Sequence, residues 1–135
     1  MSQETLDLAL RATRAACSRP PDFETVNALY HPDHVFVSVT ADLLGEAEAK
    51  GAAGYKAWLE DAADVMSWEA DVRGGVDVGP EKVLVVTENR SRGATSGISS
   101  EFRAWALVTV AGDKVTRTEI YIDPAKALEA AGLSE

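Results

Sequence analysis

Residues 82–133 read KVLVVTENRSRGATSGISSEFRAWALVTVAGDKVTRTEIYIDPAKALEAAGL, and the fold turns on how this stretch divides. Residues 82–92 have a strand pattern, apolar at the start and polar at the end. A glycine- and serine-rich connection follows at 93–97. Residues 100–110 and 114–122 are then the two arms of a hairpin turning at Ala111-Gly112-Asp113. Tyr121-Ile122-Asp123-Pro124 closes the strands, and a short alanine-rich helix ends in Ala130-Ala131-Gly132-Leu133. Three long strands in succession with a closing C-terminal peptide are the parts of a curved sheet around a pocket. The stretch predicts a container.

Side-chain parity assigns its faces. In the second arm Thr116, Thr118, Ile120 and Ile122 share one face, and Val115, Arg117, Glu119 and Tyr121 the other. In the first arm Phe102, Ala104, Ala106, Val108 and Val110 alternate with Glu101, Arg103, Trp105, Leu107 and Thr109. A three-residue loop pairs the charge-free faces with each other. A two-residue Gly-Asp loop sets Arg103 opposite Ile122 and reverses the match. The first register is preferred, because it gives a continuous apolar face of small residues. Ala104, Ala106, Val108, Thr118 and Ile120 are then expected to line the pocket. The other face sets Trp105 and Leu107 among charges, an exposed patch of the kind that marks an oligomer interface.

Upstream, Leu6, Ala9, Leu10, Thr13, Ala16 and Cys17 recur on one face of an amphipathic helix. Arg19-Pro20-Pro21 ends it. Asp22 is placed to cap a second, short helix carrying Phe23, Val26, Leu29 and Tyr30, which Pro32 stops. Val35, Val37 and Val39 alternate with polar or aromatic neighbours as a first strand. Residues 41–51 read as a loop. A third helix follows Gly54, with Tyr55, Trp58, Leu59, Ala62 and Met66 on one face. Trp68, Ala70 and Val72 then form a strand, which Gly74-Gly75 interrupts with a bulge or bend. No repeat or linker appears, so residues 1–135 are expected to be one domain.

The composition excludes several classes of function. The net charge is −9, with acidic residues spread along 135 residues. Nucleic-acid binding needs clustered Lys and Arg, and docking on anionic lipid needs the same. No segment is apolar for long enough to span a bilayer, and residues 1–4 do not resemble a signal peptide. A cytoplasmic protein with neither nucleic acid nor membrane as partner is expected. Cys17 is the one cysteine and reads as a small buried hydrophobe. His31, Asp33, His34 and Asp42 have no metal-ligand spacing. Neither a metal nor a cofactor is expected.

Helix, helix, strand, helix, then four strands with a bend is an α+β order. With it come Leu29-Tyr30-His31-Pro32-Asp33-His34-Val35, Trp58-Leu59, Val83-Leu84-Val85-Val86, Arg92-Gly93 with Ser96-Gly97, and the ending from Tyr121 to Leu133. On these residues the chain resembles the SnoaL-like branch of the nuclear transport factor 2-like superfamily over nearly its whole length. The resemblance implies a cystatin-like α+β cone: a strongly curved mixed or antiparallel sheet wrapped on three N-terminal helices, with a short C-terminal helix. It also implies a pocket at the open end and a homodimer through the outer sheet face, which Trp105 and Leu107 would form. The superfamily includes polyketide cyclases, ketosteroid isomerases, limonene epoxide hydrolases, scytalone dehydratases and binding proteins, so the fold alone does not give the function.

Enzymes of the superfamily place an Asp or Glu inside the cone, its pKa raised by apolar walls. In several of them an Asp directly precedes the aromatic of the last strand; here that residue is Ile120, before Tyr121. The remaining candidates for acid–base work are Glu88, His34 and Asp42. Glu88 and Arg90 share a face with Leu84 and Val86, and form a polar pair inside the cone if that face is inward. His34 is a histidine placed to point inward beside Phe36. Tyr55, Trp58 and Phe102 are candidate pocket-lining aromatics. The leading reading is a protein that binds an apolar small molecule. An acid–base isomerase, cyclase or dehydratase for a hydrophobic polyketide- or steroid-like substrate is the alternative. A dimerising interaction domain is the third.

Overall fold

A computed structural model describes residues 2–18, 21–38, 47–63, 66–93 and 96–132. Small residues set its first layer. Helix α1 (Ser2–Cys17) buries Ala9, Ala12, Thr13 and Ala16 at i, i+3, i+4 and i+7. A stripe this shallow lets the helix lie close against the sheet. Gly75 marks the closest approach: a Cβ there would sit 3.3 Å from Leu6, Leu10 and Val83 side-chain carbons.

The end of α1 is tied down group by group. A helix leaves its last carbonyls without intrahelical donors. Here Ser18 N–H donates to Arg14 O, Asp22 N–H to Ala15 O, and the Tyr55 hydroxyl to Ala16 O at 3.2 Å. Asp22 then caps α2 (Phe23–Leu29), accepting from Thr25 N–H and the Thr25 hydroxyl. Those two bonds hold its carboxyl below the usual carboxylate range.

Among the described residues six strands form one sheet in the order β2-β1-β6-β5-β4-β3. They are β1 (Tyr30–Ser38), β2 (Ala47–Lys50), β3 (Met66–Gly79), β4 (Lys82–Gly93), β5 (Ser99–Ala111) and β6 (Lys114–Tyr121). Among the described residues only β1 and β6 pair in parallel, and every other neighbour is antiparallel. Helix α3 (Gly51–Ala63) joins β2 to β3, and α4 (Pro124–Ala130) follows the sheet with Asp123 as its N-cap. The α+β architecture with a mixed sheet and a short C-terminal helix is as the sequence predicts.

Several boundaries differ from expectation. The second helix stops at Leu29 and the strand begins at Tyr30, ahead of Pro32. Pro32 is tolerated because the β1–β6 ladder is irregular between Tyr30 and Val35, where no ladder donor is needed. Residues 47–50, expected in a loop, are a strand paired with β1, and α3 starts at Gly51 instead of after Gly54. Met66 belongs to β3 and not to the third helix. The Gly74-Gly75 break is present as a register shift between Val72 and Gly74.

The hairpin holds the main correction. Ala111 pairs with Lys114, so the loop is the two-residue Gly112-Asp113 turn that was not preferred. Gly112 takes the left-handed φ of 65° that a tight turn of this length demands of its first residue. Such a turn should reverse the faces. A bulge prevents it: Val110 pairs with Val115, but Thr109 pairs with Arg117, leaving Thr116 as the extra residue. Beyond it Val108 faces Thr118 and Ala106 faces Ile120. The charge-free faces therefore meet, two residues out of the expected register.

Both faces of the sheet are covered. On the inner face Val83, Val85, Ala106, Val108, Val110 and Val115 pack with α1, Val26, Tyr30, Phe36 and Tyr55. On the outer face Leu84, Leu107 and Tyr121 pack with Ala127 and Ala131 around α4.

Candidate functional site

The inner face changes character along the strands. As far as Val85, Ala106 and Ile120 it packs against the helices. One row further, Thr87 pairs with Ala104, and one beyond that, Asn89 with Phe102. Thr87, Asn89 and Ala104 are buried but belong to neither apolar cluster, and Phe102 is 38% exposed. Ile122, just past the end of β6, is 46% exposed. This end of the face is the candidate site.

Thr87 and Asn89 form a neutral polar pair in its wall. The Asn89 amide donates to Thr87 Oγ1 at 2.9 Å, and the Thr87 hydroxyl donates to the Ala104 carbonyl at 3.3 Å. Among the described residues, the inward positions of β4, β5 and β6 hold no charged side chain. Charge on β4 points the other way. Glu88 accepts from Arg103 at 2.7 Å, and Arg90 reaches Glu69 at 3.0 Å and Asp71 at 3.4 Å.

Of the acid–base candidates, His34 is placed inside. It is 1% exposed; its Nε2 lies 2.9 Å from Thr118 Oγ1, and its ring meets Tyr30 edge-on at 4.5 Å. Burial pushes its pKa down to about 4, so the ring is neutral at ordinary pH. Burial also raises the Tyr30 phenol well above its usual value, and that hydroxyl donates to Ala12 O at 3.3 Å. His34 thus closes the irregular stretch of β1 onto β6, deep in the packed part of the face.

The sequence candidates fall into distinct places. Glu88 is an outer-face residue, so its role as an inward acid or base is withdrawn. The face carrying Leu84 and Val86 looks away from α1. Asp42 lies outside the described residues, as does the side chain of Trp58. Tyr55 packs on Phe36 at 5.1 Å and donates its hydroxyl to α1, so it braces the core. Val108 and Ala106 are core, Ile120 packs beside them, Thr118 holds His34, and Ala104 and Phe102 stand at the candidate site.

Trp105 and Leu107 are on the outer face, as parity required. The patch is not exposed as expected, because α4 covers it: Leu107 is 1% exposed and Trp105 is half-buried. Thr87 and Asn89 were missed. The connection between β4 and β5 does not reveal parity from its length. Charge was the available signal: a strand ending Thr-Glu-Asn-Arg keeps its neutral members inside.

Solved structures share the fold. TerC co-crystallised with polyporic acid superposes with a TM-score of 0.74 at 20% identity, over 96% of this chain and 98% of that one. An NTF2-like protein of unknown function from Burkholderia pseudomallei K96243 gives 0.73 at 13% identity, over 93% and 95%. The chain has the nuclear transport factor 2-like fold. A putative SnoaL-like polyketide cyclase from Jannaschia sp. CCS1 gives 0.72 at 12% identity, over 99% and 95%. No protein-family model matches the sequence, and no curated protein matches it. At these identities the likeness is one of fold. No described helix is long and apolar enough to cross a membrane.

Proposed function

We propose that the chain is a SnoaL-like binding protein that holds an apolar small molecule against the inner face of its sheet, at the end beyond Val85 and Ala106. The observation that supports this most is the uncharged inner wall of β4, β5 and β6, ending in small Ala104 beside exposed Phe102. Apolar walls with a few convergent polar groups are the usual make-up of a ligand site. The likeness to a protein crystallised with polyporic acid points the same way.

The test is a titration with the neutral dye N-phenyl-1-naphthylamine, followed by its fluorescence. Saturable binding to the wild type is expected, together with at least about tenfold weaker binding to Ala104→Leu, whose extra bulk enters the site. Absence of saturable binding, or equal binding by a folded Ala104→Leu, overturns the proposal.

The acid–base alternative has one observation in its favour, the inward imidazole of His34. A base whose conjugate acid has a pKa near 4 is weak at neutral pH, and this ring is engaged by Thr118. Binding is therefore the better reading. A homodimer through the outer sheet face, with α4 at the contact in place of Leu107, remains part of the proposal, and sedimentation equilibrium tests it.

A further inference from the structure

Resting on the binding reading above, we infer that the ligand is uncharged and carries a carbonyl or hydroxyl oxygen that docks on the Asn89–Thr87 pair, beneath an apolar lip formed by Phe102 and Ile122. Three observations carry this. The pair is a polar feature of a wall in which it is matched across the strands by Ala104 and Phe102. Both of its side chains are buried, and with Ala104 they lie outside the two apolar clusters. Two large apolar side chains stand partly in solvent at the same end.

A valine or leucine at 87 or 89 would complete the wall with no polar atom to desolvate. Threonine and asparagine instead present a hydroxyl and a carboxamide, each able to donate and to accept. The Asn89 amide donates to Thr87 Oγ1 at 2.9 Å and to the Thr87 carbonyl at 3.4 Å. A ligand oxygen takes over one of those bonds and exchanges its own bond to water for one to the protein. An ionised ligand fares worse. Among the described residues no charged side chain of β4, β5 or β6 faces this site, and Glu88 and Arg90 are paired on the opposite face. A buried ion without a counter-charge loses its hydration uncompensated.

Three probes with one skeleton test this: naphthalene, 2-acetylnaphthalene and 2-naphthoate, each titrated against the full chain by calorimetry. The ketone is expected to bind about tenfold more tightly than naphthalene, the effect of one well-placed hydrogen bond, and at least about tenfold more tightly than the carboxylate. Asn89→Leu should abolish the ketone's advantage over naphthalene. Thr87→Val should shrink the advantage in the same direction if Asn89→Leu does not fold. Naphthoate binding as tightly as the ketone overturns the inference, as does a ketone advantage that survives in folded Asn89→Leu. If naphthalene binds and the acetyl group adds nothing, the docking of oxygen on the pair falls while the binding reading stands. If none of the three binds, the binding reading itself falls.

Discussion

The two faces of β4 make the most instructive comparison in the molecule. Inward it presents Val83, Val85, Thr87 and Asn89; outward it presents Leu84, Val86, Glu88 and Arg90. Each series starts apolar and ends polar. The polar ends differ in kind. Inside, neutral groups are buried and bonded to each other. Outside, full charges are paired across strands where water still reaches them: Glu88 with Arg103, and Arg90 with Glu69 and Asp71. An amide with a partner loses little on burial, whereas an ion loses several kcal/mol. Among the described residues no buried side-chain nitrogen or oxygen lacks a partner. The apolar ends also differ, in what covers them: α1 inside and α4 outside. A sheet covered on both sides is not divided into wet and dry faces. It is divided into an apolar end and a polar end on each, and the polar end is buried inside and reached by water outside.

The sharpest way to break that comparison is Leu107→Ala. If the outer face is a second core under α4, the truncation costs about 2–5 kcal/mol, the range for a buried leucine. Urea denaturation measures it. A loss under about 1 kcal/mol would return Leu107 to the surface and remove the symmetry between the faces.

His34 gives the next largest effect, and it belongs to the inner face. Its folded pKa of about 4 lies below the ordinary 6.5 because burial disfavours the charged ring. The unfolded chain therefore binds a proton first as pH falls. The stability tied to a neutral His34 is complete above pH 6.5, drains between 6.5 and 4, and is lost by about 3 kcal/mol below that. Chemical denaturation across pH 7.5 to 4 should show this slope in the wild type and a flatter one in His34→Gln. Equal slopes would mean that the ring is already solvated.

The sequence made much of this legible. Helix α1 was readable from the spacing of Leu6, Ala9, Thr13 and Ala16, and the α2 cap from Asp22 before Phe23. The inner faces of β5 and β6 were readable because Phe102, Ala104, Ala106 and Val108 form a charge-free face opposite Glu101 and Arg103, and Thr118 and Ile120 one opposite Arg117 and Glu119. The hairpin was right in its faces for a reason that sequence does not display. The tight Gly112-Asp113 turn and the bulge at Thr116 each shift parity, and the two shifts cancel. The covering of Leu107 was hidden because the contact joins β5 to a helix some twenty positions later. Asn89 was hidden because a strand's parity is undetermined until its partner is known. His34 was named, and its burial against Thr118 is a long-range contact that no local pattern encodes.

The smallest expected effect decides the parity of β4 most directly. Glu88→Gln removes one charge from the pair with Arg103, which lies 58% exposed on the outer face. Exposed or half-exposed ion pairs contribute about 0–1 kcal/mol, and salt screens them. The variant should lose at most about 1 kcal/mol in low salt and almost nothing in 1 M salt, where the screening length is about 3 Å. Dye binding should be unchanged, because the carboxylate is separated from the inner wall by the sheet itself. A Glu88→Gln protein that folds normally but no longer binds would place this carboxylate inside the site. It would exchange the roles of Glu88 and Asn89 and, by strict alternation, turn every side chain of β4 to the other face.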